Sequence, residues 1–297
     1  GDEEIRFHQD PFPLYPGEKL FGAVNSLQIV GPDSALRLRC IRDFTDGDVS
    51  HVAGDEWLFY GPGTYMPRVE VQVAEVVRAT ILRPHQGIRL RARQQCTDRH
   101  GIKRRAGEEW IWTGVGAYLP DVDEEIVMVV DAYMLDEKHA LHLIAKRSYT
   151  DQFGKARKAG EEWLVTNKEA VSYIADVDEQ VEGKVSLTSL SRRQYCVILD
   201  PLGENGKPQL GKKQLIKGEA CFFLRPGERL ERGIQNVYVL GDQEALLLRA
   251  KEEYKDADGT THQPGDRWMI YGPADYIPDV EVEIVEKRRS IPLAENE

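Results

Sequence analysis

The chain has 297 residues, 41% hydrophobic and 30% charged, with a formal net charge of -11 and a pI near 5.3. An acidic chain with no basic stripe excludes a nucleic-acid surface; the pairs Arg104-Arg105 and Lys212-Lys213 read as solvated loops. No apolar run reaches the ~18 residues of a membrane helix and no signal peptide is read.

In chain order, residues 1–33 run through Phe12-Pro13-Leu14-Tyr15-Pro16-Gly17-Glu18-Lys19-Leu20 and read as the second half of a variant unit, part of a longer protein. A regular unit follows at 34–86. It opens on the alternating run Leu36-Arg37-Leu38-Arg39, a half-buried strand. The polar turn Thr45-Asp46-Gly47-Asp48 reads as a hairpin tip. Ala53-Gly54-Asp55-Glu56 then leads into the strand Trp57-Leu58-Phe59, the bend through Tyr65-Met66-Pro67 ends it, and Val69 to Val73 alternates again.

The same order recurs. Residues 87–139 carry Ile88-Arg89-Leu90-Arg91, a tip at Asp98, Gly107-Glu108-Glu109-Trp110, Tyr118-Leu119-Pro120 and a last strand from Val122 to Val130. Residues 140–191 carry Leu141-His142-Leu143, a tip at Asp151, Gly160-Glu161-Glu162-Trp163 and Tyr173-Ile174-Ala175, where proline is lost. Residues 192–243 depart, with Cys221-Phe222-Phe223 where tryptophan is expected, and share the 1–33 variant. Residues 244–290 return to the pattern with Leu246-Leu247-Leu248-Arg249, Trp268 and Tyr276-Ile277-Pro278, and 291–297 open another unit. Trp57, Trp110 and Trp163 are 53 residues apart, and Trp268 lies 105 further on. Self-similarity at that period means tandem small modules, each too small to be stable alone. Helical periodicity is almost absent, so the fold class is all-β, a tandem array of small antiparallel sheets.

Few residues invite chemistry. The acid pairs Asp55/Glu56, Glu108/Glu109 and Glu161/Glu162 recur too often for catalysis, and adjacent strand residues face opposite ways, so they read as turn bonding or ion pairing. Asp256-x-Asp258-Gly259 begins like a calcium loop, but position 12 is Arg267 rather than a bidentate acid. The seven histidines, His8, His51, His85, His100, His139, His142 and His262, show no metal spacing, and no nucleophile elbow or phosphate loop occurs. Cys40, Cys96, Cys196 and Cys221 read as small buried apolar groups in a reducing compartment. No catalytic, cofactor or metal residues are assigned. Trp57, Trp110, Trp163 and Trp268 with Tyr65, Tyr118 and Tyr276 read as the core of each module rather than a stacking platform.

Charge is patterned. The first strand of each module carries bases (Arg37, Arg39; Arg89, Arg91, Arg93) and the last carries acids (Glu70; Glu124, Glu125; Glu281, Glu283). Opposite charges on facing strands of one sheet contribute about 0.2–1 kcal/mol per pair; where the surfaces meet between chains instead, these ten residues are the candidate inter-chain contacts. A basic flank meeting an acidic flank head to tail closes into a ring where the rotation allows.

Long strings add up to a resemblance. Asp10-Pro11-Phe12-Pro13-Leu14-Tyr15-Pro16-Gly17-Glu18, Ala53 to Phe59, Gly61-Pro62-Gly63-Thr64-Tyr65-Met66-Pro67, Tyr195-Cys196-Val197-Ile198-Leu199-Asp200-Pro201 and Ile291-Pro292-Leu293 resemble the major vault protein family over essentially the whole chain. The resemblance implies a structural shell protein of the vault, a hollow cytoplasmic ribonucleoprotein particle with a minor nuclear pool. The repeats would stand as staves of the barrel wall, many copies side by side. A vault-associated poly(ADP-ribose) polymerase would dock on the inner wall. Neither RNA contact, catalysis nor a cofactor is implied for this stretch, and without a cap helix monomers or weak oligomers are expected. The competing reading is a repeat-type binding module, recruiting a partner through strand faces or loop tips.

Overall fold

A computed structural model describes residues 2–203, 206–256 and 258–291. The reading of 291–297 as a further unit falls outside these, apart from Ile291. All regular structure among the described residues is β-strand. The chain divides into two compact units, residues 1–133 with 172–177 and residues 134–171 with 178–297.

Repeat 1 shows the plan. The alternating run becomes a central strand, Ser34–Cys40, hydrogen-bonded on one side to the tryptophan strand Glu56–Tyr60 and on the other to the long edge strand Val71–Arg78. The polar tip closes a hairpin, Phe44–Asp46 with Val49–His51. A short opening strand, Gln28–Val30, pairs with Gly63–Tyr65. In repeat 2 the same roles fall to Gln86–Ala92, Glu109–Thr113, Glu124–Asp131, Cys96–Thr97 with Lys103–Arg104, and Thr80–Leu82 with Gly116–Tyr118. In repeat 3, His139–Ala145 lies between Glu162–Val165 and Glu179–Ser186. In repeat 5, Glu244–Ala250 lies between Arg267–Tyr271 and Val282–Arg289.

The opening strand pairs forward within its own repeat. Repeats 1, 2, 4 and 5 therefore begin at Gln28, Thr80, Thr188 and Tyr238, several residues before the central strand where the alternation starts. Repeat 4 breaks the pattern on its edge: Gln194–Leu199 pairs with Lys213–Lys217, but its other side meets two short strands, Arg229–Leu230 and Gln235–Asn236, instead of one long one.

Two local features recur for physical reasons. The long edge strand carries a β-bulge opposite the central strand in repeats 1, 2, 3 and 5. It adds one residue and re-aims the rest of the strand. The turn before each tryptophan holds Gly54, Gly107, Gly160 and Gly265 at φ 103, 79, 77 and 97, a region that L side chains rarely adopt.

Repeats 1, 2 and 5 each build a core of their own. In repeat 2, Leu82, Ile88, Leu90, Ala92, Trp110 and Tyr118 form one cluster, with Cys96, Trp112 and Ile126 against it. Val30, Leu36, Leu38, Tyr65 and Val71 do the same in repeat 1, and Leu240, Leu246, Leu248 and Val282 in repeat 5. Trp110 and Trp163 are buried, at 5% and 7% exposed, while Trp57 and Trp268 are half-buried. Cys40 and Cys196 are buried, but Cys221 is exposed, because the middle residue of a short two-stranded sheet faces outward opposite Ser189.

Candidate functional site

The chemistry of the repeats collects at the tryptophan. In repeat 2, Arg104 lies over the Trp110 ring at 5.0 Å, with Asp98 at 2.8 Å and Glu108 at 2.9 Å. In repeat 3, Arg157 lies over Trp163 at 4.2 Å, between Asp151 at 2.8 Å and Glu161 at 2.9 Å. Histidine takes the same place in the other two: His51 stacks on Trp57 at 4.4 Å, and His262 on Trp268 at 3.9 Å. A cation over an indole face contributes about 0.5–2 kcal/mol, more as water is excluded. The reading of Arg104 as a solvated loop residue is thereby corrected: its side chain is 17% exposed, held inward by the ring and two carboxylates.

The tip acids are structural anchors. Asp98 accepts the N–H of His100 and of Ile102, each at 2.9 Å, and Asp151 those of Phe153 and Lys155 at 3.0 and 2.8 Å. Burial alone would raise both carboxyls. The backbone N–H groups and the guanidiniums outweigh it and hold Asp98 and Asp151 below the usual carboxylate range. Glu108 is also held low, by the Arg105 N–H first and Arg104 next. Depressed folded-state values make a contribution that is complete above the unfolded carboxylate pKa of about 4 and is lost as pH falls through the folded one. Denaturant unfolding from about pH 7 down to pH 2 is therefore expected to show a flat stability above pH ~4 and a decline below it.

A second contrast separates the repeats. In repeat 2 the buried Tyr118 hydroxyl donates to Glu124 at 2.6 Å, and Glu124 also accepts the Asp121 N–H at 3.1 Å. Burial and then the Glu124 hydrogen bond push the Tyr118 hydroxyl well up. In repeat 1 the matching position holds Val71 instead of an acid, and the Tyr65 hydroxyl has no hydrogen-bond partner among the described residues. Tyr118→Phe is expected to cost roughly 1.5–3 kcal/mol, since a buried carboxylate loses its donor, whereas Tyr65→Phe is expected to be neutral or stabilising. Paired urea melts of the two variants measure the difference.

The ten candidate contact residues are largely engaged within the chain. Arg37 is 3% exposed; it meets Glu75 at 3.0 Å and donates to the Val122 carbonyl at 2.9 Å. Arg89 and Arg91 both hold Glu109, at 2.5 and 2.6 Å, and Arg91 lies 3.8 Å from Glu125. Arg93 is 3.8 Å from Glu75, and Arg39 is 4.0 Å from Glu56. Arg249 donates its Nε to Glu283 at 3.0 Å. Glu124 is buried; for Glu70 and Glu281 the contacts are of the backbone, whose carbonyls accept the Ile41 and Lys251 N–H, and leave the carboxylates unassigned. Of the two readings of this charge pattern, the intrachain ion pairs follow the one of opposite charges on facing strands. The first strand lies between the other two, so Arg91 meets Glu109 and Glu125 on one sheet face, while Glu124, opposite Ala92, lies on the core face.

Arg37 also links neighbours, since Val122 belongs to repeat 2. The second compact unit repeats the device. Lys217 of repeat 4 meets Asp279 of repeat 5 at 2.8 Å, and Asp279 accepts the Tyr254 hydroxyl at 2.8 Å. The loops after the Tyr118-Leu119-Pro120 and Tyr276-Ile277-Pro278 bends are thus seats for the preceding sheet face.

Family models decide what these modules are. The major vault protein repeat domain matches residues 28–68, 80–121, 133–176 and 238–279, and a second model of that description matches 1–24 and 187–234. The chain belongs to the major vault protein repeat family. It is similar to major vault protein alpha of Dictyostelium discoideum, 62% identical over 299 residues, which covers 100% of this chain and 35% of that protein. The major vault proteins of Strongylocentrotus purpuratus and Homo sapiens are 58% and 55% identical, again over 100% of this chain and 35% and 34% of theirs. The chain thus spans about a third of the length of these relatives. The second model falls on the variant vault repeats, the stretches without the Gly-acid-x-Trp turn. Sequence reasoning passed over the residues seated on the tryptophans. A signal was there: His51, Arg104, Arg157 and His262 each stand six residues before their tryptophan.

Proposed function

We propose that these vault repeats are structural: they are staves in the barrel wall of a vault, set side by side in many copies, and catalyse no reaction. The single observation that carries this is the match to major vault proteins along the whole chain, in repeat order. The internal chemistry agrees with it. Charges are spent on holding each sheet and on seating one repeat on the next, as Arg37 does at Val122 and Lys217 at Asp279. A container or transport role, location in the cytoplasm with a minor nuclear pool, and a vault-associated poly(ADP-ribose) polymerase on the inner wall belong to the same proposal. The net charge of -11 supports leaving RNA to other parts of the particle. Sedimentation velocity of this chain tests the assembly half: monomers or weak oligomers are expected, while spontaneous closed particles would show that wall repeats alone drive assembly.

A further inference from the structure

The long edge strands differ in one respect. From the bulge onward repeat 1 reads Ala74-Glu75-Val76, repeat 3 Glu182-Gly183-Lys184 and repeat 5 Val285-Glu286-Lys287; repeat 2 reads Val127-Met128-Val129. A strand at a sheet edge presents unpaired N–H and C=O groups, and charge placed there keeps other chains from pairing with it. Lys184 and Lys287 occupy one position, each reaching back to an opening strand, to the Met134 carbonyl at 3.1 Å and the Val239 carbonyl at 3.2 Å. Repeat 2 alone among these four described edges has no charge in the triplet. Val127, Met128 and Val129 are 37%, 51% and 39% exposed, and Ile81, at the opening-strand position that matches Met134 and Val239, is 73% exposed. The strand Glu124–Asp131 ends its sheet, with Gln86–Ala92 on one side and no strand on the other among the described residues.

We propose that the outer edge of residues 128–131, with Ile81 beside it, docks an extended strand of a partner protein, apolar at its centre and carrying lysine or arginine at its ends. Backbone pairing along an edge gives affinity, and alternate side chains give selectivity. The charge requirement comes from the flanks: Asp131, which accepts from the Gln86 amide at 2.7 Å, stands exposed at the far end of the stretch, and Glu125, 3.8 Å from Arg91, stands exposed on the other side of the bulge. A second copy paired antiparallel over 128–131 would set Asp131 against Met128 and bring it no cation, whereas a strand with a basic end does. The bulge at Val127 limits pairing to the stretch beyond it. This docking edge goes beyond the wall reading and does not depend on it.

The test uses a capped synthetic peptide, Lys-Val-Thr-Val-Thr-Val-Lys, titrated into the whole chain and followed by amide NMR shifts. A double substitution, Met128→Glu with Val129→Lys, gives repeat 2 the residues that repeat 5 holds at the same places, so the sheet is expected to stay folded. Shifts confined to residues 127–131 and Ile81, with at least tenfold weaker binding in the double variant, are expected. Absence of binding, shifts elsewhere, or equal affinity in the variant would overturn the proposal. A lower sedimentation coefficient of the variant without peptide would also overturn it, by assigning the edge to contact between copies.

Discussion

Arg157→Ala destabilises repeat 3 by about 3–5 kcal/mol, the expected result of leaving a buried carboxylate without its cation. The Asp151 side chain is 0% exposed and that of Arg157 8%, so water does not replace what is lost. Asp151 keeps the Phe153 and Lys155 N–H groups, which orient it but carry no full charge. The same substitution uncovers the Trp163 ring and releases Glu161. Urea unfolding measures the effect, and a double-mutant cycle with Asp151→Ala is expected to recover part of it, because the double variant has no orphaned charge. A loss below about 1 kcal/mol would place this pair with exposed ion pairs and contradict the clamp.

Trp110→Ala is the second large effect, roughly 3–5 kcal/mol. Its indole is 5% exposed and packs with Ile88, Leu90 and Tyr118 inside a core too small to reseal the cavity. The cost follows burial: Trp163→Ala is expected to match it, and the half-buried Trp57 and Trp268 to cost less. Hydrogen exchange is expected to speed up chiefly in residues 80–131, since that core is contained within one repeat. Uniform acceleration over all repeats would mean that the cores are not separate.

The period was legible in the sequence because a large aromatic after a Gly-acid turn is costly to move. The half-buried strands were legible because alternation is written directly in Leu36-Arg37-Leu38-Arg39 and its copies. Strand order was not. Nothing in the spacing says that the first long strand of a repeat lies between the other two, so the sequence left open whether Arg91 pairs across strands or between chains; Glu109 and Glu125 stand on either side of it. The bulge escaped because one extra residue in an apolar run such as Ile126 to Val130 does not disturb a hydrophobicity pattern. The buried position of Glu124 escaped for a related reason: an acid beside Glu125 looks solvated until Tyr118 is placed against it. The resemblance to the vault family named the assembly, but it could not say which charges the chain consumes internally.

The most direct test of the wall reading is a chimera in which this chain replaces the matching third of Dictyostelium discoideum major vault protein alpha, imaged by negative-stain electron microscopy. Closed hollow particles with the dimensions of the unaltered protein's are predicted. A folded chimera that stays monomeric would contradict it.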